Sequence, residues 1–239
     1  MNKKFAEKLL QKTTEDYNKI AEEFSITRSI IWPELEGFIK YIKKGNHILD
    51  LGCGNGRLYD LFKDLSIDYT GIDKSQKLIK VAKEKWKNTD AEFRVGDILE
   101  FSETKKYDAV FLIAVFHHIP NKELRLKVLK KIYSVLEPGG MLFMTNWMFW
   151  QKKYLPYIIK YTILKLVPAK AGTHKMDFYD ILIPWKSCGL KTYGHSERMA
   201  NRYYHAFTKR EIKKLAKRAG FDIIKNKKSK WNYVTVCKK

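Results

Sequence analysis

Ile48-Leu49-Asp50-Leu51-Gly52-Cys53-Gly54-Asn55-Gly56-Arg57 runs from an apolar segment, short enough for a buried strand, into glycines at alternate positions. Glycine accepts left-handed backbone and carries no side chain, so a ligand can lie against the main chain there. A helix over 57–64 would then offer its N-terminal amides to a carboxylate or phosphate. The spacing is Gly-x-Gly-x-Gly, not the Gly-x-Gly-x-x-Gly of dinucleotide folds. Taken alone, a tight strand-to-helix turn explains it equally well.

Outward from this loop, apolar runs at 47–51, 67–72, 92–95, 107–115 and 141–146 read as strands. Helical patterns at 57–64, 75–87, 121–136 and 208–219 separate or follow them. That alternation predicts an α/β fold with a mostly parallel sheet covered by helices on both faces. Upstream, Tyr17, Ile20, Ala21 and Phe24 place a helix over 13–24, with Thr13 or Thr14 as its cap. Pro33 suits the first turn of a second helix reaching about Lys44, before a Gly45-Asn46 turn. Pro138-Gly139-Gly140 ends the 121–136 helix, and Gly220 caps the 208–219 helix. Residues 221–224 and 233–236 can close the sheet as an antiparallel pair. The aromatic stretch 147–207 breaks the alternation and is expected to be an insertion covering the site. One domain is expected over 1–239: a helical cap (1–44), a ligand-binding core (45–146), the cover (147–207) and closing elements (208–239).

Composition narrows the function classes. Apolar residues make up 45% of the 239, which excludes global disorder. Lys and Arg number 47 against 26 Asp and Glu, a formal charge of +21. Residues 186–239 hold sixteen basic and three acidic side chains, a net of +13, whereas residues 1–44 carry only +2. Such a concentration suits a polyanionic partner, nucleic acid or an anionic membrane surface; the plainer reading is a solvated, Lys-rich face. Cys53, Cys188 and Cys237 are too few and scattered for a disulfide framework or zinc site, and no metal is expected. They point to a reducing, cytoplasmic setting. The N-terminus has no signal-peptide apolar core. Lys152, Lys153, Lys160 and Lys165 interrupt the most apolar stretch, so it is not expected to span a bilayer, though it could lie on one.

The strand ends supply the chemistry. Asp73 closes Tyr69-Thr70-Gly71-Ile72-Asp73, where a carboxylate can accept hydrogen bonds from ribose hydroxyls. Asp97 closes the third strand and can meet an adenine amino group, with Ile98 against the ring. Ile113 and Ala114 end the fourth strand. Ligands of open α/β sheets sit at such carboxyl ends, near a topological switch point. The pattern over about 40–150 resembles that of class I S-adenosylmethionine-dependent methyltransferases. The resemblance implies a Rossmann-like seven-stranded sheet and S-adenosylmethionine as cofactor. Its expected binding residues are Asp50, Gly52, Gly54, Asn55, Gly56, Asp73, Lys74, Asp97, Ile98, Ile113 and Ala114.

Four further segments narrow the family. They are Tyr17 to Arg28 with Trp32-Pro33; Ile113-Ala114-Val115-Phe116-His117-His118; Asp180-Ile181-Leu182-Ile183-Pro184-Trp185; and Arg202-Tyr203-Tyr204-His205-Ala206-Phe207. Together they are similar to tRNA wobble-uridine carboxymethyl methyltransferases, which implies tRNA as partner and the carboxylate of 5-carboxymethyluridine as methyl acceptor. A carboxylate is already ionised at neutral pH, so it needs orienting cations and no strong base. Arg28, Arg202 and His205 are the candidates. His117 or His118 can orient or deprotonate an acceptor, although adjacent residues rarely face the same way. Trp32, Trp185, Tyr203 and Tyr204 can stack an extruded base or simply pack. The eukaryotic family members imply a small zinc-binding activator protein as a possible partner. The run from Trp147 to Gly172 departs from the family pattern. Two other readings stay open: a methyltransferase for a small-molecule or lipid carboxylate or hydroxyl, and a non-catalytic module binding S-adenosylmethionine or RNA.

Overall fold

The computed structural model describes residues 1–28, 30–166, 175–186 and 198–239. Cys188 and parts of the expected cover, 167–174 and 187–197, lie outside the described residues. In chain order come helices α1 (Lys3–Lys19), α2 (Ala21–Thr27) and α3 (Pro33–Glu36), then strand β1 (His47–Leu51). β2 (Asp68–Asp73), α4 (Gln76–Lys85), β3 (Glu92–Val95), β4 (Tyr107–Ile113), α5 (Lys122–Val135) and β5 (Leu136–Trp147) follow. The cover contributes α6 (Leu155–Leu166), β6 (Asp180–Lys186) and β7 (Arg198–His205). The chain closes with α7 (Lys209–Arg218), β8 (Asp222–Lys228) and β9 (Asn232–Lys238).

Seven strands form one sheet in the order β3-β2-β1-β4-β5-β9-β8. The pairs among β1 to β5 are parallel; β9 runs antiparallel to both neighbours and so makes the expected terminal pair. Strand order reverses at β1, between β2 and β4, which opens a crevice at their carboxyl ends. The expected α/β class and Rossmann-like sheet are thus present. β4 shows why both faces are covered. Val110 and Leu112 pack under α5 and α7, with Leu129, Ile132 and Leu215, while Ala109 and Phe111 enter the opposite layer with Phe38, Phe62 and Phe143. Phe111 and Phe143 stack at 4.8 Å.

Several boundaries differ from the sequence reading. The first helix begins at Lys3, because the Asn2 side chain accepts the Phe5 N–H and Ala6 and Leu9 extend its apolar face. Thr13 and Thr14 are therefore interior, with hydroxyls donating back to the Leu9 and Leu10 carbonyls. The helix after Pro33 stops at Glu36, followed by a short 3-10 turn at Ile39–Tyr41. The expected 57–64 helix is only a 3-10 turn, Arg57–Leu61, so no long helix aims its amides at the glycine loop. No helix among the described residues is long and apolar enough to cross a membrane.

The cover is tied to the sheet by a buried polar cluster. β6 and β7 pair as a separate antiparallel ribbon. One of its faces carries Asp180, Tyr203 and His205, and these meet Arg125 of α5 and Glu211 of α7. His205 Nδ1 lies 2.7 Å from Asp180 and its Nε2 2.9 Å from Glu211. Arg125 sits 3.6 Å from Asp180 and 3.7 Å from Glu211, and its Nε donates to the Ile119 carbonyl at 2.8 Å. Removing one partner of a buried ion cluster strands the others without compensation. Arg125→Ala is accordingly expected to cost about 3–5 kcal/mol, read as a lowered urea midpoint at unchanged slope.

Candidate active site

A cleft opens at the carboxyl ends of β1 to β4. Its floor is the glycine loop. Gly52 and Gly56 have φ of 77° and 70°, and a Cβ on Gly52 would collide with Val115 Cγ2. Gly52 and Cys53 donate backbone hydrogen bonds to the Ile72 carbonyl, which fixes the loop against β2. Asp73, at the end of β2, accepts from Gly54 N–H at 2.9 Å and Ser75 N–H at 2.8 Å. Burial raises its pKa despite those bonds. Asp97 pairs with Lys74 at 2.7 Å, and both line the cleft with Ile98 and Ile113. Ala114 turns the chain off β4 with φ 58°, a strained value for a residue with a Cβ; Thr145 holds its N–H through both carbonyl and hydroxyl.

The N-terminal helices form the roof. Asn55 Nδ2 reaches the Ser25 and Arg28 carbonyls at 3.5 Å each, and Asn18 accepts from Ser75. Tyr17 hangs from α1 into the cleft beside Phe24. The Tyr17 hydroxyl lies 2.9 Å from His118 Nε2 and 3.3 Å from Arg202 Nη1, while His118 Nδ1 is 2.8 Å from the Tyr203 carbonyl. A guanidinium only donates and a carbonyl only accepts, which orients the whole chain. Arg202 donates to Tyr17, Tyr17 donates to Nε2 of His118, and Nδ1–H of His118 donates to Tyr203. Burial and the charge of Arg202 push His118 down to about 3, so it is neutral near pH 7. Burial likewise lowers His117, next to His118; its Nδ1 accepts from Trp147 N–H at 3.2 Å. Neither imidazole is therefore a ready base.

The cover ribbon divides the residues of its sequence motif by strand alternation. Arg202 and Tyr204 face the cleft, with the guanidinium 4.6 Å from the Trp185 ring and 5.2 Å from the Tyr204 ring. Tyr203 and His205 face the opposite way, into the Arg125 cluster, and the expectation that they meet an acceptor is corrected by that pleat. Trp185 shares the Arg202 face yet does not line the cleft, because its indole N–H donates to Glu23 at 2.6 Å and its ring backs the guanidinium. It is a platform for Arg202 rather than for a base. Trp32 does line the cleft. His117 and His118, adjacent in sequence, both reach it, because a 3-10 turn at Phe116–His118 brings their rings within 4.6 Å. Arg28 lines the roof over Phe24 and Trp185.

Among the cleft residues not singled out as site residues from sequence are Tyr17, Phe24, Arg57 and Trp147. Tyr17 and Phe24 stand in the first of the four family-like segments, whereas Arg57 and Trp147 carry no signal beyond adjacency to Gly56 and to the end of β5. Five buried polar atoms of cleft residues lack partners among the described residues: Asp50 Oδ1, Arg57 Nη1, His117 Nε2, Arg202 Nε and the Tyr204 hydroxyl. Together with the carboxylates at β2 and β3, they suit a nucleoside whose arm carries both signs of charge. No group of three His, Cys, Asp or Glu is placed to hold a metal among the described residues.

Comparison with known proteins agrees with this geometry. The family model described as a methyltransferase domain matches residues 42–220. The Schizosaccharomyces pombe tRNA (carboxymethyluridine(34)-5-O)-methyltransferase is 28% identical over 236 residues, covering 93% of this chain and 94% of that protein. The Arabidopsis thaliana protein of the same name is 35% identical over 132 residues, 55% of this chain but 31% of its own length, so the chain spans under a third of that relative. Among solved structures, a SAM-dependent methyltransferase from Methanosarcina mazei superposes with a TM-score of 0.68 at 20% identity, covering 87% of this chain and 98% of that one.

The Asp50 carboxyl offers a check on the cleft's electrostatics. Burial lifts it from 3.8 to about 7, against the Tyr69 hydroxyl that donates to it at 2.7 Å. A carboxyl whose pKa is raised by folding loses stability as pH climbs from its unfolded to its folded value, and the full cost persists above that. Asp50→Asn should therefore stabilise the ligand-free protein most above pH 7, by at most about 4 kcal/mol, read as a higher thermal midpoint. The gain should vanish as pH falls towards 4, a trend followed by circular dichroism melts across pH.

Proposed function

This chain belongs to the methyltransferase domain family, and from that premise we propose that it methylates the side-chain carboxylate of 5-carboxymethyluridine at the tRNA wobble position. S-adenosylmethionine is its cofactor, and the cleft fits it. The Gly52 floor has no room for a Cβ, and the unpartnered Asp50 oxygen offers an acceptor for an ammonium group. Asp73 would hold the ribose, Asp97 and Ile98 the adenine, with Gly54, Asn55 and Lys74 closing around them; Gly56, expected from sequence to join them, packs instead against Phe93 and Ala82 behind the loop. Bound there, the cofactor supplies an activated methyl group on a sulfonium sulfur.

The observation that carries the acceptor reading is Arg202. Its guanidinium is buried, braced by aromatic rings and by Tyr17, and its Nε has no partner among the described residues. A carboxylate seated on it neutralises a buried charge and turns one oxygen towards the end of β4, where Ile113 and Ala114 stand. A carboxylate so held would take a methyl group without a proton to lose, so the residues here would need only to bind and orient it. Neutral His117 and His118 suit such a reaction, since a hydroxyl acceptor would need a base that His118, at about 3, cannot provide. The fission-yeast relative, similar over nearly its whole length, supports tRNA as substrate. So does α7, whose buried side holds Ile212, Leu215 and Ala216 while Arg210, Lys213, Lys214, Lys217 and Arg218 border a shallow outer groove suited to phosphates.

The test is incubation with labelled S-adenosylmethionine and tRNA carrying 5-carboxymethyluridine, with and without a candidate activator protein, followed by nucleoside mass spectrometry. The methyl ester should form, and tRNA lacking the carboxymethyl group should stay unlabelled. Failure to label even with the activator supplied overturns the proposal. Arg202→Ala should lower kcat/KM for tRNA by about 100-fold or more while leaving S-adenosylhomocysteine affinity within about twofold. Replacing Lys213, Lys214 and Lys217 together by Glu should raise KM for tRNA and flatten its dependence on salt, with cofactor affinity unchanged.

A further inference from the structure

A second cation in the cleft has a separate assignment. Arg57 follows the glycine loop directly and is only 7% exposed. It makes no salt bridge among the described residues, and its Nη1 is buried without a hydrogen-bond partner. What holds it is the Trp32 ring, 4.2 Å from the guanidinium carbon. Burial and the neighbouring Arg28 charge both work against it, lowering its pKa to about 10, yet it remains charged at neutral pH. A buried, unpaired guanidinium lining a cleft is a site short of one anion.

The order of groups along the sheet edge says which anion. Asp97 follows β3, Asp73 ends β2, the glycine loop follows β1 and Ala114 follows β4. A nucleoside held at β3 and β2 extends its 5′ arm towards β1 and β4. Arg57 stands on the β1 side, near enough to Asp50 and Arg28 to feel both charges. Arg202 comes from the cover strand β7 and lies among the rings of Trp147, Trp185 and Tyr204. We infer that Arg57, stacked on Trp32, binds the carboxylate of the cofactor's amino-acid end, leaving Arg202 for the acceptor. The assignment rests on S-adenosylmethionine as cofactor and is independent of which acceptor is methylated.

The probes are S-adenosylhomocysteine, which carries the amino-acid end, and 5′-methylthioadenosine, which shares the adenosine and sulfur but lacks it. Calorimetry on wild type, Arg57→Met and Arg57→Gln should show S-adenosylhomocysteine weakened on the order of 10- to 100-fold by either substitution. Affinity for 5′-methylthioadenosine should stay within about twofold, which also reports that the variant is folded. Unchanged S-adenosylhomocysteine affinity, or equal weakening of both ligands in a folded variant, overturns the assignment. A crystal structure of the wild-type complex with S-adenosylhomocysteine decides the matter without any variant. The carboxylate should lie within about 4 Å of the Arg57 guanidinium, and a greater separation refutes the inference. Neither experiment contains an acceptor, so failure here and failure of the tRNA reading are separate results.

Discussion

The Tyr17 hydroxyl is where three separately built parts of the protein meet. α1 supplies the phenol, the turn after β4 supplies His118, and the cover strand β7 supplies Arg202. Each partner can play only one role: the guanidinium donates, the hydroxyl passes the direction on, and the imidazole must keep its proton on Nδ1 for the Tyr203 carbonyl. A proton added at His118 Nε2 would compete with Tyr17 for that nitrogen beside a buried guanidinium. The neutral histidine is thus a condition for the assembled cleft, and burial together with Arg202 maintains it.

The electrostatics of the cleft follow from what surrounds its cations. Arg28, Arg57 and Arg202 all line it, and each lies against an aromatic face: Phe24 and Trp185, Trp32, and Trp185 with Tyr204. Rings hold a guanidinium in place without neutralising it, so the positive potential remains available to incoming carboxylates. Carboxylate partners would have given more stability to the empty protein and less attraction for anionic ligands. Aromatic residues make up 14% of the chain, and part of their use is here.

The sheet and the donor end of the cleft were legible because their signals are local. Buried strands are short apolar runs, the loop needs its glycines, and Asp73 and Asp97 fall at strand ends that the alternation itself defines. The helix boundaries were less legible: α1 starts ten residues before the reading placed it, its Asn2 cap lying outside the quoted periodicity. The acceptor end depended on pleat. Arg202, Tyr203, Tyr204 and His205 read as one motif, but only a strand assignment with a known buried face separates Arg202 and Tyr204 from Tyr203 and His205. Arg57 was missed since a basic residue after a glycine loop reads as helix surface until Trp32, twenty-five positions upstream in the chain, is seen stacked on it.

The buried cluster around Arg125 joins two things that lie on different faces of the molecule. Glu211 belongs to α7, whose outer side carries the lysines, and His205 belongs to the strand that carries Arg202. With Asp180 and Arg125 closing the cluster, the basic surface and the cleft arginine are rigidly geared to one another. A polyanion resting on α7, as proposed, would be held at a set span from Arg202, and a reactive group that reaches too far or too short from its own phosphates would miss the guanidinium.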